Sequence, residues 1–238
     1  VASALWIGNE IGGAPIAVVP TGFPALDDEL PGGGWPRGAI TEFLLPQAGI
    51  AEWRILLPAL AAGQPKEPVV AVSPPYAPFL GGIRRYGCSE RSLILVRAEK
   101  PAQRLWAAEQ AARAEGLTAV VAWLPNARNE QLRRLQAAAA QSSFPVFLVR
   151  PDVAQHEASP APLRVQVRLV PGKGDIELHI VKRKGAAHDG WLRLDYDPPG
   201  FDRLCLQGRT SATAGPRHVR PSVLDGAARG TGAQRAAV

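Results

Sequence analysis

The residues of this chain that could do chemistry gather at few places. A strand-to-helix loop, LPQAGIAEW from Leu45 to Trp53, stands where a protein built on a parallel sheet binds an anionic ligand, because open backbone amides meet a helix N-terminus there. A loop that cradles nucleotide phosphates needs accessible amides, an ammonium for the β- and γ-phosphates, and a hydroxyl for Mg²⁺. This one contains Pro46 and Gly49 but no lysine, serine or threonine, and Glu52 at the helix entrance would repel a triphosphate. The two cysteines, Cys88 and Cys205, lack CxxC spacing and accompany four histidines, which leaves neither a disulfide framework nor a zinc site. Cys88 follows Gly87 in a turn, and His156, His179, His188 and His218 stand at unrelated positions, so no nucleophile–base–acid arrangement is legible. Among the tryptophans, Trp35 and Trp53 flank turns and are the ones expected at the surface. These two, like Trp106, Trp123 and Trp191, read either as base-stacking rings or as core or interface packing groups.

The elements that must position the loop follow from periodicity. Thr21 is a candidate cap for a short helix over Pro24 to Leu30, with Phe23, Leu26 and Leu30 on its core side. LPGGGWPRG (Leu30 to Gly38) excludes regular structure and delivers the chain into a strand. The runs ITEFLL (from Ile40), VVAV (from Val69), LILV (from Leu93), AVVAWL (from Ala119) and VFLV (from Val146) are mostly continuous, as in strands buried on both faces of a parallel sheet. Between them, the stretch from Pro101 to Gly116 carries a Glu109–Arg113 pair at helical spacing. That from Asn129, read as a cap, places Leu132, Leu135 and Ala139 on one face. Strands alternating with such helices predict right-handed βαβ units. After a loop, Leu163, Val165, Val167 and Leu169 alternate with Arg164, Gln166 and Arg168. Ile176, Leu178 and Ile180 alternate with Glu177 and His179, predicting an antiparallel hairpin with one wet face, which Trp191 to Tyr196 can extend. The fold class expected is α/β, a mostly parallel twisted sheet flanked by helices with a C-terminal antiparallel hairpin. Residues 1–38 form an N-terminal helix and a Gly/Pro-rich lead-in, 39–200 the α/β domain, and 201–238 a basic tail too poor in large apolar side chains to order itself.

At 238 residues, with 46% hydrophobic and 20% charged side chains, the chain suits a globular α/β protein, and no apolar run approaches the span of a bilayer. The start, VASALWIGNE, does not read as a secretion signal, so a reducing cytosol is the expected compartment. Of the net charge of +6, six arginines against Asp202 and Asp225 place +4 beyond Gly200. Arg209, Arg217 and Arg220 of that tail could meet phosphate or an acidic partner, or serve as a solvated extension.

Residues 21–62 resemble the nucleotide-binding core of the RecA recombinase family. Thr21, Gly22, Leu26, Asp27, Gly33, Gly34, Pro36, Gly38, Glu42 and Pro46 match its pattern, while its loop glycine falls on Ile50, its lysine on Ala51 and its hydroxyl residue on Glu52. Where that family has acidic residues after later strands, this chain has VSPPY (from Val72) and VVAWLP (from Val120). The resemblance implies a RecA-like frame with no cofactor, no metal and no catalytic residue. LRVQVRLVPGKGDIELHIVKRKGA is similar to the hairpin whose paired lysines reach a neighbouring subunit's nucleotide. Lys182 and Lys184 fall on those positions, as contacts for DNA or protein, or as a basic turn on a solvated strand end.

Within that group, ELPGGGWPRG followed by LLPQAGIAEW is similar to the ImuA family across residues 21–198. This implies an accessory protein of DNA-damage-induced (SOS) mutagenic translesion synthesis. Its implied partners are an ImuB-like Y-family protein, an error-prone C-family polymerase and, in some members, RecA, with weak DNA contact and no membrane. Trp53, Lys182, Lys184, Arg209, Arg217 and Arg220 are the candidate contacts. Val120 to Leu124 and Phe147 to Pro151 also resemble the SulA family, which implies instead a division inhibitor binding FtsZ. A RecA-class DNA-dependent ATPase with an unconventional site is the third expectation.

Overall fold

The apolar runs form strands because β-branched and aromatic residues fit a pleated, two-sided core. The computed structural model describes residues 17–62, 67–170 and 175–195. In chain order it comprises β1 (Val18–Val19), α1 (Pro24–Glu29), β2 (Trp35–Pro36), β3 (Ile40–Leu45), α2 (Glu52–Ala62), β4 (Val69–Val72), α3 (Leu80–Arg85), β5 (Leu93–Val96), α4 (Pro101–Arg113), β6 (Ala119–Trp123), α5 (Asn129–Ala139), β7 (Val146–Pro151), β8 (Leu163–Leu169), β9 (Ile176–Lys182) and β10 (Leu192–Leu194). The large sheet has eight strands in the order β10-β9-β8-β3-β7-β6-β4-β5. From β5 to β8 every neighbouring pair is parallel, and β9 and β10 follow antiparallel. The protein is therefore α/β with a mostly parallel sheet and a C-terminal antiparallel hairpin, the expected class. The tail from 201, the hairpin turn at 171–174, Tyr196 and Cys205 lie outside the described residues.

Two apolar layers cover the sheet. On one face α1 and α2 bring Phe23, Leu26, Ile55 and Leu56 against Phe43, Phe147, Val165 and Leu178; on the other, α4 and α5 bring Leu105, Leu132 and Leu135 against Ile40, Val120 and Leu148. Several local expectations are corrected. Phe23, not Thr21, precedes α1, and the Thr21 hydroxyl instead accepts the Phe23 N–H at 3.0 Å, while Thr21 N–H donates to Asp27 Oδ1. Asn129 is the first residue of α5 rather than its cap; the Arg128 N–H before it is satisfied by Gln131 Oε1 at 2.9 Å. Glu109 turns inward from α4 and pairs with Arg134 of α5 at 2.9 Å, not with Arg113. The Gly-rich turn does contain regular structure, since Trp35–Pro36 pairs with Val18–Val19. Trp35 is fully buried and edge-on to Phe43 and Phe147, because this short ribbon folds its ring under the sheet. β5 is not buried on both faces: it ends the sheet, and Ile94 and Leu95 face solvent.

The largest departure is at Arg164. Alternation predicts it on the wet face of the hairpin, yet it is buried because the segment between β7 and β8 folds across that face. Arg164 Nε donates to Glu42 Oε2 at 2.6 Å, and its Nη atoms donate to the carbonyls of Ala154, Gln155 and Glu157. Glu42, fully buried in β3, also accepts from Ser159 Oγ at 2.9 Å and from Arg150 Nη1 at 3.4 Å, and Arg150 Nη2 reaches Glu157 and the Ala127 carbonyl. This network joins β3, β7, β8 and the covering segment. Removing one partner strands buried charge, so Glu42→Ala is expected to lower unfolding free energy by about 3–5 kcal/mol in urea titrations. Arg134→Ala removes an exposed cation but leaves the buried Glu109 carboxylate without its partner, and should cost about 1–3 kcal/mol.

Candidate functional site

The carboxyl ends of β3, β4, β5, β6 and β7 open into a cleft of about 800 Å³, the place where an open parallel sheet receives ligands. Its walls are Pro46 and Ala48 after β3, Ser73 to Pro75 after β4, Arg97 after β5 and Trp123 and Pro125 at the end of β6, with Arg104 from α4. Ser73 is held at φ +52°, an uncommon angle for a non-glycine residue, by a reciprocal tie in which its hydroxyl donates to the Ala98 carbonyl and accepts the Ala98 N–H. That tie fastens the end of β4 to the end of β5. Arg104 Nε donates to the same Ala98 carbonyl at 2.9 Å, so part of its fork holds the wall.

The strand-to-helix loop borders this cleft, and two of its amides are already occupied by a side chain of the loop itself. Glu52 at the start of α2 turns back over the loop and is almost completely buried. Gly49 N–H donates to its Oε1 at 2.6 Å, Ala51 N–H to its Oε2 at 3.1 Å, and the indole Nε1–H of Trp123 to Oε1 at 3.0 Å. The carboxylate thus sits in a small amide cradle and gains the favourable field of the helix N-terminus. The sequence reading has Glu52 repelling an anion; the structure makes it the anion. Gly49 has φ +91°, and a Cβ there would lie 2.5 Å from Tyr76 Cδ2, so the Tyr76 ring closes over the backbone. Ile50 and Ala51 add no donor side chain, and Ala51 is buried.

The other candidate residues do not converge on this loop. Trp53 is half-buried and tilted against Trp123 with ring centroids 5.8 Å apart, beside a small apolar cavity lined also by Ile83, Cys88 and Leu93. It is a packing residue more than a surface contact. Burial pushes the Cys88 thiol above its ordinary value, which makes it a poor nucleophile. Lys182 is exposed at the end of β9 and donates to the Ser159 carbonyl at 2.9 Å; Lys184 is exposed just beyond it, and both stand on the hairpin rather than at the cleft. Arg209, Arg217 and Arg220 lie outside the described residues. Among the described residues the exposed tryptophans are instead Trp106 and Trp191, and Trp191 carries the Arg168 guanidinium 3.8 Å from its ring centre. Sequence reasoning missed Trp123 and Tyr76 as members of the loop. The strand ending in Trp123 and the SPPY turn were visible, but not their approach to Glu52 and Gly49.

Fold and site together define a parallel-sheet α/β protein whose first strand-to-helix loop is closed by a carboxylate of its own chain. Compared with models of known protein families and with curated proteins, the chain matches none. Among the described residues no three His, Cys, Asp or Glu side chains gather as a metal site, and no helix is long and apolar enough to cross a membrane.

Two outcomes test the closed loop. Glu52→Ala leaves three donors without their acceptor and should lower stability by about 1–3 kcal/mol, without producing heat on titration with millimolar Mg-ATP, because lysine and hydroxyl are still missing. Gly49→Ala should cost about 1–3 kcal/mol from backbone strain and the Tyr76 collision. A double-mutant cycle with Tyr76→Ala should recover the collision part but not the strain.

Proposed function

We propose that this chain is a non-catalytic accessory protein of DNA-damage-induced mutagenic translesion synthesis, of the ImuA type, acting in the cytosol as a docking piece for other proteins. The observation that carries the reading is the Glu52 carboxylate held by the Gly49 and Ala51 amides and the Trp123 indole. A loop at the ligand-binding end of a parallel sheet, two of whose amides are taken by its own carboxylate, supports a frame that assembles with partners without a nucleotide cycle. The Thr21 to Pro46 pattern and the ELPGGGWPRG turn supply the resemblance to RecA-like proteins. The partners this reading assigns are an ImuB-like Y-family protein, an error-prone C-family polymerase and RecA, with the basic residues of the hairpin and tail as candidate contacts for them or for DNA. No reaction is assigned to the chain, so Arg97 and Arg104 in the cleft are read as binding or structural groups.

The test has two arms in the same cells. Deletion of the gene should bring mutation frequency after ultraviolet damage down to the undamaged level, restored by the full chain. Tagged full chain recovered from damage-treated cells should bring down a Y-family-like protein or the error-prone polymerase, by mass spectrometry. Unchanged mutagenesis on deletion, or recovery of FtsZ with filamentous cells on overexpression, would overturn the reading in favour of a division inhibitor. DNA-stimulated phosphate release from the purified chain would overturn the non-catalytic assignment.

A further inference from the structure

The cleft at the carboxyl ends of the strands stays open although the loop beside it is closed. Its floor is apolar, made by Leu45 of β3, Trp123 of β6 and Val149 of β7, with the exposed Leu95 of β5 at one side. Prolines occupy much of the rim: Pro46, Pro74, Pro75, Pro125 and Pro151. Proline fixes φ and carries no N–H, so this rim is stiff and offers none of the amides that gather round a phosphate. The reciprocal Ser73–Ala98 tie fastens the end of β4 to the end of β5 before any ligand arrives. A preformed cleft of about 800 Å³ with an apolar floor and a few polar groups at one side is the kind that holds a small molecule.

The charged groups of the cleft say what that molecule is. Arg97 is exposed and has no hydrogen-bond or ion-pair partner among the described residues. Arg104 commits Nε to the Ala98 carbonyl, and its Nη groups have no partner among the described residues. Arg150 borders the floor from β7; its Nη groups are held by Glu42, Glu157 and the Ala127 carbonyl, while its buried Nε–H has no acceptor. Among the described lining residues Glu99 is the only carboxylate, and it is exposed at the rim. Two uncommitted guanidinium forks beside an apolar floor fit a planar carboxylate on an apolar body, since the forks pair with both carboxylate oxygens and the body displaces water from the floor. We propose that the cleft binds an amphipathic organic acid, its carboxylate between Arg97 and Arg104 and its aromatic or alkyl body over Leu45, Leu95 and Trp123. A nucleotide is not that acid, because the Gly49 and Ala51 amides are taken by Glu52 and the proline rim supplies no others. The inference is independent of the accessory reading: unchanged mutation frequency on deletion overturns that reading alone, and absence of binding overturns this one alone.

The probes are naphthoate and octanoate, titrated into the full chain by calorimetry beside their neutral amides, naphthamide and octanamide, and beside acetate. At least one of the two larger acids should bind, its amide at least about tenfold more weakly, and acetate should give no heat, because charge and apolar body are both needed. Binding of the acid should weaken as salt rises. Arg97→Gln, at a residue without a partner, should leave the urea midpoint unchanged and weaken the acid about tenfold. Arg97→Gln/Arg104→Gln, whose midpoint is checked because Arg104 also holds the Ala98 carbonyl, should bring the acid down to the level of its amide. Ala77→Trp, at an exposed position of the cleft wall, should abolish binding by filling the space. The proposal is overturned if neither acid binds, if acid and amide bind equally, or if affinity is unchanged in either arginine variant. Binding that survives Ala77→Trp would also overturn it, by placing the ligand elsewhere on the chain.

Discussion

Glu42 is buried at the centre of the sheet between two arginines, and the arrangement around it depends on that charge being met. It lies opposite Leu148 of β7 and Arg164 of β8, so its carboxylate is neutralised in one register of three adjacent strands. A slip of β3 by one residue would carry the carboxylate to the face of Phe43 and Phe147, where the neighbours are aromatic rings. The same pairing draws the segment after β7 across the sheet, because Arg164 uses the carbonyls of Ala154, Gln155 and Glu157. That segment covers β3 and β8 on the face where α4 covers β4 and β6. The central strand is thereby anchored on both sides, and the loop that leaves its end starts from a rigid point.

From that point the loop is closed by a second buried carboxylate. Glu42 and Glu52 solve the same problem differently: the first is met by cations, the second by neutral N–H donors at a helix start. Trp123 connects the loop to β6, and Tyr76 connects it to the turn after β4, so three strand ends are tied at one place. Arg97 and Arg104 remain on the neighbouring wall of the cleft, which keeps a cationic character where the loop itself has none to offer.

The strands of the sheet interior were legible because their apolar runs are continuous, and VVAV, AVVAW and VFLV are buried as such runs imply. LILV has the same composition, but its exposure depends on its place in the strand order, which local pattern does not encode. Arg164 alternates correctly with Leu163 and Val165; what covers it is an aperiodic stretch whose path no period announces. Caps were misplaced by one or two residues at Thr21 and Asn129, where a nearby side chain competes for the same N–H groups. The loss of lysine and hydroxyl from the loop could be read directly. That Glu52 bends back required knowing that a tryptophan of β6, remote in sequence, stands within hydrogen-bond reach.

The self-satisfied loop also works as a ratchet. Replacing Glu52 first strips two amides and an indole of their acceptor. Placing lysine at the buried Ala51 first crowds a packed site and takes an ammonium out of water, which costs stability while the carboxylate stays in its cradle. Freeing the backbone at Ile50 first loosens the turn while its anion stays in place. Each of these first steps therefore weakens the fold or leaves the carboxylate in place. A phosphate site at this loop would call for coordinated changes at Ile50, Ala51 and Glu52 together.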